Sequence, residues 1–408
     1  MKNTKENYKD LDSVMNSGDV TNSGNNGETT EKILISKNPK NNKDINDKKK
    51  GKLLLFETFL LRYSDPINSI SLSDNYLLFG SMIGKVILFN IPKKQYYHIY
   101  NLASENIMGT SVENEIDNKI VHFVSVGDET AVSLIEKINE EDVESHIISN
   151  YTNKDMHQKM CPESFTLLWK NKALLINLSP AKNHDDEVVV EKREVNFITY
   201  GIEGKINDLC FMRQIEMSNY TVPFDFKDDI FLFLEYIGND RRSICLYEFD
   251  AEKETQKKVL TTVLKEFGHI SFIKIIEKNL ILVVRNYSLI EIYDIEDGFK
   301  LLASHNNNIE INSIDYCELK NENIVNTNND KVYNIILIDE EQNIVELKFE
   351  KGSQFLEVLF IINVNDIEGI SNELKLRGLF NFDFPYYIKN SKNYVALTTD
   401  LACFLFKK

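Results

Sequence analysis

The chain has 408 residues, 42% of them hydrophobic and 11% aromatic, and carries a formal net charge of −16 at pH 7. That supplies core for one large repeat domain or for two or three ordinary ones. The acidic balance argues against broad nucleic-acid or anionic-membrane contact, which needs clustered Lys and Arg, and no run approaches the roughly 20 apolar residues of a bilayer crossing.

Residues 1–50 are dominated by Asn, Lys, Asp, Ser, Gly and Thr. They bury too little apolar surface to offset the entropy of ordering, so a disordered low-complexity tail is expected, followed by one domain over residues 51–408. The tail's ten Lys against eight Asp and Glu give it about +2, leaving about −18 on the body. Its end, Lys48-Lys49-Lys50-Gly51-Lys52, reads either as solvated linker or as an import signal. With no charged-then-apolar leader and five cysteines standing singly, a cytoplasmic or nuclear location is expected.

The body is a series of hairpins. "KLLLFETFLLRY" (52–63) reads as a strand, with a short helix as the alternative. Then come "YLLFGSMIGKVILFN" from Tyr76, "VHFVSVGDETAVSLIEK" from Val121, "FTLLWKNKALLINL" from Phe165 and "IFLFLEYIGNDRRSICLYEF" from Ile230. "LILVVRNYSLIEIYDI" from Leu280, "VYNIILIDEEQNIVELKF" from Val332 and "YVALTTDLACFLF" from Tyr394 complete seven. A spacing of about 45 to 65 residues suits four-stranded propeller blades. The hairpin interiors are nearly continuous in Leu, Ile, Val and Phe, as in strands covered on both faces. Several hairpins follow an alternating element expected to be the inner strand: Ile67-Asn68-Ser69-Ile70, Ile206-Asn207-Asp208-Leu209, Ile270-Ser271-Phe272-Ile273 and Ile311-Asn312-Ser313-Ile314.

The third strands end in Phe89-Asn90, Ile135-Glu136, Tyr247-Glu248 and Tyr293-Asp294, with Ile176-Asn177 a looser match. Here the chain, over residues 52–408, resembles the WD-repeat β-propeller family, whose repeats end that strand in Trp-Asp. The expected fold is therefore all-β, a seven-bladed WD-repeat-like propeller. Residues 53–62 would close the ring as the outer strand of a last blade that begins near Leu376 to Phe384, because an open ring exposes unpaired strand edges.

Catalytic signatures are missing. The seven histidines are scattered without an i,i+4 pair or a Cys partner, and there is no nucleophile elbow or phosphate-cradling loop. His184-Asp185-Asp186-Glu187 reads as a solvated acidic loop. No catalytic, cofactor or metal residues are nominated, and no cofactor is expected. What the resemblance implies is a non-catalytic scaffold in a multi-subunit complex, docking proteins or peptides through loops near 104–118, 139–158, 181–194, 214–228 and 319–330. Candidate partner-binding residues are the aromatic pairs Tyr96-Tyr97 and Tyr386-Tyr387, the loop aromatics Tyr220 and Phe224, and Arg241-Arg242 at a hairpin tip. The alternative role is a non-catalytic subunit of an RNA-modifying or other nuclear complex. A propeller enzyme and a phosphoinositide binder rank below both; membrane insertion, direct nucleic-acid contact and small-molecule binding are not expected.

Overall fold

The computed structural model describes residues 53–60, 67–81, 85–101, 107–112, 119–120, 122–126, 130–137, 143–151, 165–169, 172–182, 188–200, 206–207, 213–216, 224–227, 229–236, 242–250, 255–264, 269–319, 331–367, 387–399 and 402–408. Side chains are described mainly within 53–96, 225–248, 269–319, 331–367 and 387–408. All belong to one compact unit, Asp47–Lys408. The expected disorder of residues 1–50 lies outside the described residues.

Every described strand belongs to a small antiparallel sheet. β1 (Leu54–Leu60) comes first, then blade A, made of β2 (Ile67–Leu72), β3 (Tyr76–Ser81), β4 (Lys85–Asn90) and β5 (Gln95–Asn101). Ten strands follow: β6 (Ile107–Val112), β7 (Lys119–Ile120), β8 (His122–Val126), β9 (Thr130–Lys137), β10 (Val143–Tyr151), β11 (Phe165–Trp169), β12 (Lys172–Lys182), β13 (Val188–Tyr200), β14 (Ile206–Asn207) and β15 (Arg213–Glu216). Blade B is β16 (Phe224–Lys227), β17 (Ile230–Tyr236), β18 (Arg242–Asp250) and β19 (Thr255–Leu264). Blade C is β20 (Ile270–Glu277), β21 (Leu280–Arg285), β22 (Leu289–Asp294) and β23 (Lys300–Asn306). Blade D is β24 (Ile311–Leu319), β25 (Val332–Asp339), β26 (Asn343–Glu350) and β27 (Glu357–Asn363). β28 (Tyr387–Asn390), β29 (Tyr394–Thr398) and β30 (Ala402–Lys407) form blade E, whose fourth strand is β1.

The all-β propeller is present, but the expected count of seven is corrected to five four-stranded blades among the described residues. The hairpins at Val121 and Phe165 fall instead in sheets of two, three and five strands. A hairpin pattern specifies only two central strands; the flanking segments decide whether inner and outer neighbours join them. Here β8 pairs with β6 rather than with β9, and β9 has only the two-residue β7 beside β10. β13 meanwhile pairs with both β14 and β15, so Ile206-Asn207 is not an inner strand as expected; β16 fills that place in blade B. Strands β6, β10, β13 and β15 also occupy the segments read as insertions near 104–118, 139–158, 181–194 and 214–228.

Alternate residues of each central strand face opposite neighbours. In β21, Leu280, Leu282 and Val284 pack toward blade D, whereas Ile281 and Val283 pack toward blade B. β25 repeats this, with Tyr333, Ile335 and Leu337 toward blade C and Ile336 and Ile338 toward blade E. In β30, Ala402, Phe404 and Phe406 face blade D, and Cys403 and Leu405 face blade A. Both faces of such a strand are thus core, which is why the sequence runs apolar without alternating. Each buried Leu, Ile, Val or Phe contributes about 1.5–3 kcal/mol relative to exposure.

Two register shifts recur. In blades A, C and D the inner strand carries an extra residue at Asn68, Ser271 or Asn312, the second of each Ile-Asn/Ser element, and blade C carries a second at Ile276. In all five blades the outer strand carries another: Phe56, Tyr97, Val259, Leu302 and Leu359. These β-bulges increase local twist and turn the strand edge away from open pairing.

The polar residue closing the third strand has a local role. Asn90 Oδ1 accepts from Lys93 N–H at 2.9 Å, and Asp294 Oδ1 accepts from Glu296 N–H at 3.0 Å, each starting the turn into the outer strand. The aromatic residue before it is core: Phe89 is 1% exposed, and Tyr293 stacks on Phe299 at 4.5 Å while donating its hydroxyl to Glu291 at 2.9 Å.

Of residues 53–62, expected to complete the last blade, Leu54–Leu60 form β1 and pair antiparallel with β30, Leu54 opposite Lys407 through Leu60 opposite Ala402, while residues 61–62 lie outside the described residues. The last blade begins its described strands at Tyr387; the expected start near 376–384 lies outside the described residues. Phe59 spans the junction, its ring 5.4 Å from Phe79 and 4.9 Å from Phe89 in edge-to-face contact. Asp74 adds a hydrogen bond from Asn393 N–H at 3.1 Å. Phe59→Ala is expected to cost about 3–5 kcal/mol in urea unfolding, as a large cavity at a buried aromatic does. A loss under about 1 kcal/mol would mean that the β1 junction does not hold blades A and E together.

Candidate functional site

Side chains on the first strands of neighbouring blades reach across to the next blade's backbone. Asp225 on β16 accepts from Ile275 N–H on β20 at 2.7 Å, and Lys227 donates to Ile276 C=O at 2.7 Å. Tyr316 on β24 donates its hydroxyl to Ile275 C=O and accepts from Lys227 Nζ at 2.8 Å. Ser313 Oγ and Asp315 Oδ2 on β24 accept from Ile388 and Asn390 N–H on β28, at 3.1 and 2.8 Å. Each cross-blade bond satisfies a backbone group that an inner edge strand would otherwise leave unpaired.

Successive inner strands therefore present Asp225, Lys274, Asp315 and Lys389, charges that alternate from blade B to blade E. Lys274 Nζ lies 3.5 Å from Asp225, whose negative charge, outweighing the cost of burial, raises the Lys274 pKa above the ordinary lysine value. Asp315 also favours the Lys389 ammonium, yet burial and the like charge of Lys274 outweigh it and hold that amine below the ordinary value. A cleft of about 310 Å³ opens beside Asp225, Lys227, Lys274, Asp315, Cys317 and Glu318.

A second cleft of about 360 Å³ adjoins it at the junction of blades C and D, lined by Lys227, Glu277, Lys278, Glu318, Lys331 and Lys351. Glu277, 13% exposed, takes Lys331 on one oxygen and Lys351 at 3.2 Å on the other. Burial opposes its charge, but Lys331, the Tyr333 hydroxyl and Lys351 together outweigh it and hold the carboxyl below its ordinary 4.5. Lys278, 62% exposed, pairs with Glu248 at 2.5 Å.

Between blades D and E, Asn334, Glu346 and Asn390 form a buried polar cluster. Lys408 Nζ reaches Asn334 Oδ1 at 3.3 Å and Glu346 at 3.8 Å. Cys317 donates to Ser391 C=O at 3.3 Å, and burial pushes its thiol up to about 11. Among the described residues no three His, Cys, Asp or Glu side chains are grouped to hold a metal, and no helix is long and apolar enough to cross a membrane.

Those of the nominated partner residues that are described lie on four strands, β5, β16, β18 and β28. Tyr96 lies on β5, 52% exposed, with its ring 5.3 Å from Phe89 and 5.9 Å from Phe59. Tyr97 is the bulged residue of β5. Phe224, expected in a loop, is the first residue of β16, paired with Phe233; alternation over only four residues, "FDFK", is too short a signal to reveal a strand. Arg242 opens β18 opposite Tyr236. Tyr387 opens β28 and packs against the core between blades E and A, with its N–H donating to Thr398 Oγ1 at 3.1 Å. Tyr220, Arg241 and Tyr386 lie outside the described residues. The alternating inner-strand charges and the lysine-lined cleft were not singled out from sequence, although Asp315 directly follows the repeated Ile311-Asn312-Ser313-Ile314 and Lys274 follows Ile270–Ile273.

No family model and no curated protein sequence matches the chain. Among solved structures it is similar to the WD40 β-propeller domain of Doa1, at 13% identity over 87% of this chain and 97% of that one, with a TM-score of 0.49. It is also similar to the computationally designed Ika8 protein, at 12% identity over 88% and 99% of the two chains, with a TM-score of 0.44. The assignment itself rests on four-stranded sheets in chain order and a last sheet completed from the N-terminal side. The fold is a β-propeller whose last described blade is completed by the N-terminal strand β1. In this propeller the inner strands carry Asp225, Lys274, Asp315 and Lys389, and Tyr96 is an exposed aromatic on the outer strand β5.

The Glu277 clamp has a pH signature. Because its folded pKa lies below its unfolded value, its contribution is full above about pH 5 and fades as pH falls through the folded pKa. Urea titrations between about pH 6 and pH 3 should therefore show a shallower acid loss of stability for Glu277→Gln than for the wild type. Identical slopes would show that the clamp contributes nothing.

Proposed function

We propose that the propeller is a non-catalytic scaffold that docks partner proteins or peptides on the loops and outer strands surrounding its blades. The observation that carries this reading is how the apolar surface is used. Both faces of the central strands in blades C, D and E are consumed by neighbouring blades, so those strands have no face left for a substrate cavity. Turns and outer strands on such a frame vary without disturbing the core, and that suits a recognition surface.

Tyr96 is the aromatic best placed to serve it. Its ring is half exposed while contacts with Phe59 and Phe89 fix its position, so little rotamer freedom remains to be lost on binding. Proximity labelling in the source cell, followed by capture with purified full-length chain, should return the same small set of proteins in replicate. Tyr96→Ala should weaken capture of at least one by about 5- to 30-fold, the range for loss of an interface anchor. Replicates that share no partner would refute the scaffold reading.

A further inference from the structure

The lysine-lined cleft at the junction of blades C and D stands out against the charge of the whole chain. The protein carries −16 at pH 7, yet Lys227, Lys278, Lys331 and Lys351 converge on one cleft of about 360 Å³ whose own carboxylates are Glu277 and Glu318. Glu277 holds two of the four amines and Glu248 pairs with a third, Lys278, so with Glu318 the four ammonium groups face three carboxylates and keep an excess of one positive charge. A local positive site on an otherwise negative protein focuses anionic groups that the remaining surface repels.

The amines also stand on rigid supports. Lys227 belongs to β16 and donates to Ile276 C=O and Tyr316 Oη, so its Nζ is held between blades B, C and D. Lys331 directly precedes β25 and Lys351 directly follows β26, and Lys351 N–H donates to Lys331 C=O at 3.0 Å. Glu277 then ties both ammonium groups to the end of β20. Two lysine side chains are thereby ordered before any ligand arrives, which lowers the entropic cost of binding. The volume lies within the roughly 300–1,000 Å³ of ligand clefts.

We propose that this cleft binds one oxyanion group, a carboxylate or a phosphate, presented by an acidic peptide segment. This names the partner chemistry of the scaffold read above and rests on that reading, but its test uses small probes and needs no captured partner. Lys227, Lys331 and Lys351 hold the anion, and Lys278 at the exposed rim adds long-range attraction.

The full-length chain is titrated with sodium pyrophosphate and, separately, with a hexaglutamate peptide at low ionic strength, with thermal unfolding as the readout. Either probe is expected to raise Tm by about 2 °C or more. A response to pyrophosphate alone identifies a phosphoryl group as the preferred anion, and a response to hexaglutamate alone identifies a carboxylate; both support the site. Lys278→Glu leaves the Glu277 clamp intact and should weaken binding about threefold or more. The triple variant Glu277→Gln, Lys331→Gln, Lys351→Gln removes two amines without stranding a buried carboxylate, and should abolish the shift. If neither probe shifts Tm, or if the shift is unchanged in both variants, the site is refuted, whatever partner capture shows.

Discussion

Everything in this molecule follows from central strands that are apolar on both faces. A lone four-stranded sheet built from "LILVVR" or "YNIILI" would expose a full side of Leu, Ile and Val to water. Only a second sheet on each side removes that surface, so each blade is stable through its two neighbours. The interfaces B–C, C–D, D–E and E–A each enclose one continuous apolar cluster. Because every blade needs both neighbours, the end blades must meet, and β1 on β30 together with Phe59 at the E–A junction makes that contact.

Polar groups are arranged around this apolar demand. Inner strands, whose edges face one another, are joined by Asp225, Lys227, Ser313, Asp315 and Tyr316 reaching to neighbouring backbone. Outer strands, whose edges face outward, carry a bulge at the same register in every four-stranded blade. One device satisfies exposed backbone groups; the other makes them poor templates for a further strand. Charges that remain, such as the Glu277 clamp and the Lys278–Glu248 pair, lie at strand ends and turns, where recognition surfaces form.

Rigidity of the frame also shapes the functional reading. A cleft formed by strand ends from three blades keeps its amines in place because moving one requires repacking an apolar junction. Tyr96 is steadied in the same way, through ring contacts with the closing strand and with Phe89. Groups held like this lose little freedom when a partner's side chain docks against them.

The sequence by itself determined the β class, six of the seven central hairpins and the closing strand β1. Those features are local or depend on hydrophobic period: unbroken apolar runs, Gly- and Asn-bearing turns, and the aromatic-plus-polar ending that Phe89-Asn90 and Tyr293-Asp294 now explain as core plus turn. The number of four-stranded blades was decided only by the tertiary structure, because pairing between distant segments is not written in either one; β8 joins β6, and Ile206-Asn207 joins β13 despite resembling Ile67-Asn68 and Ile311-Asn312. The inner-strand charges, the lysine cleft and the place of Tyr387 in the core were likewise invisible in the chain. Asp225 and Lys274 are 49 residues apart in sequence and become neighbours only when blades B and C pack.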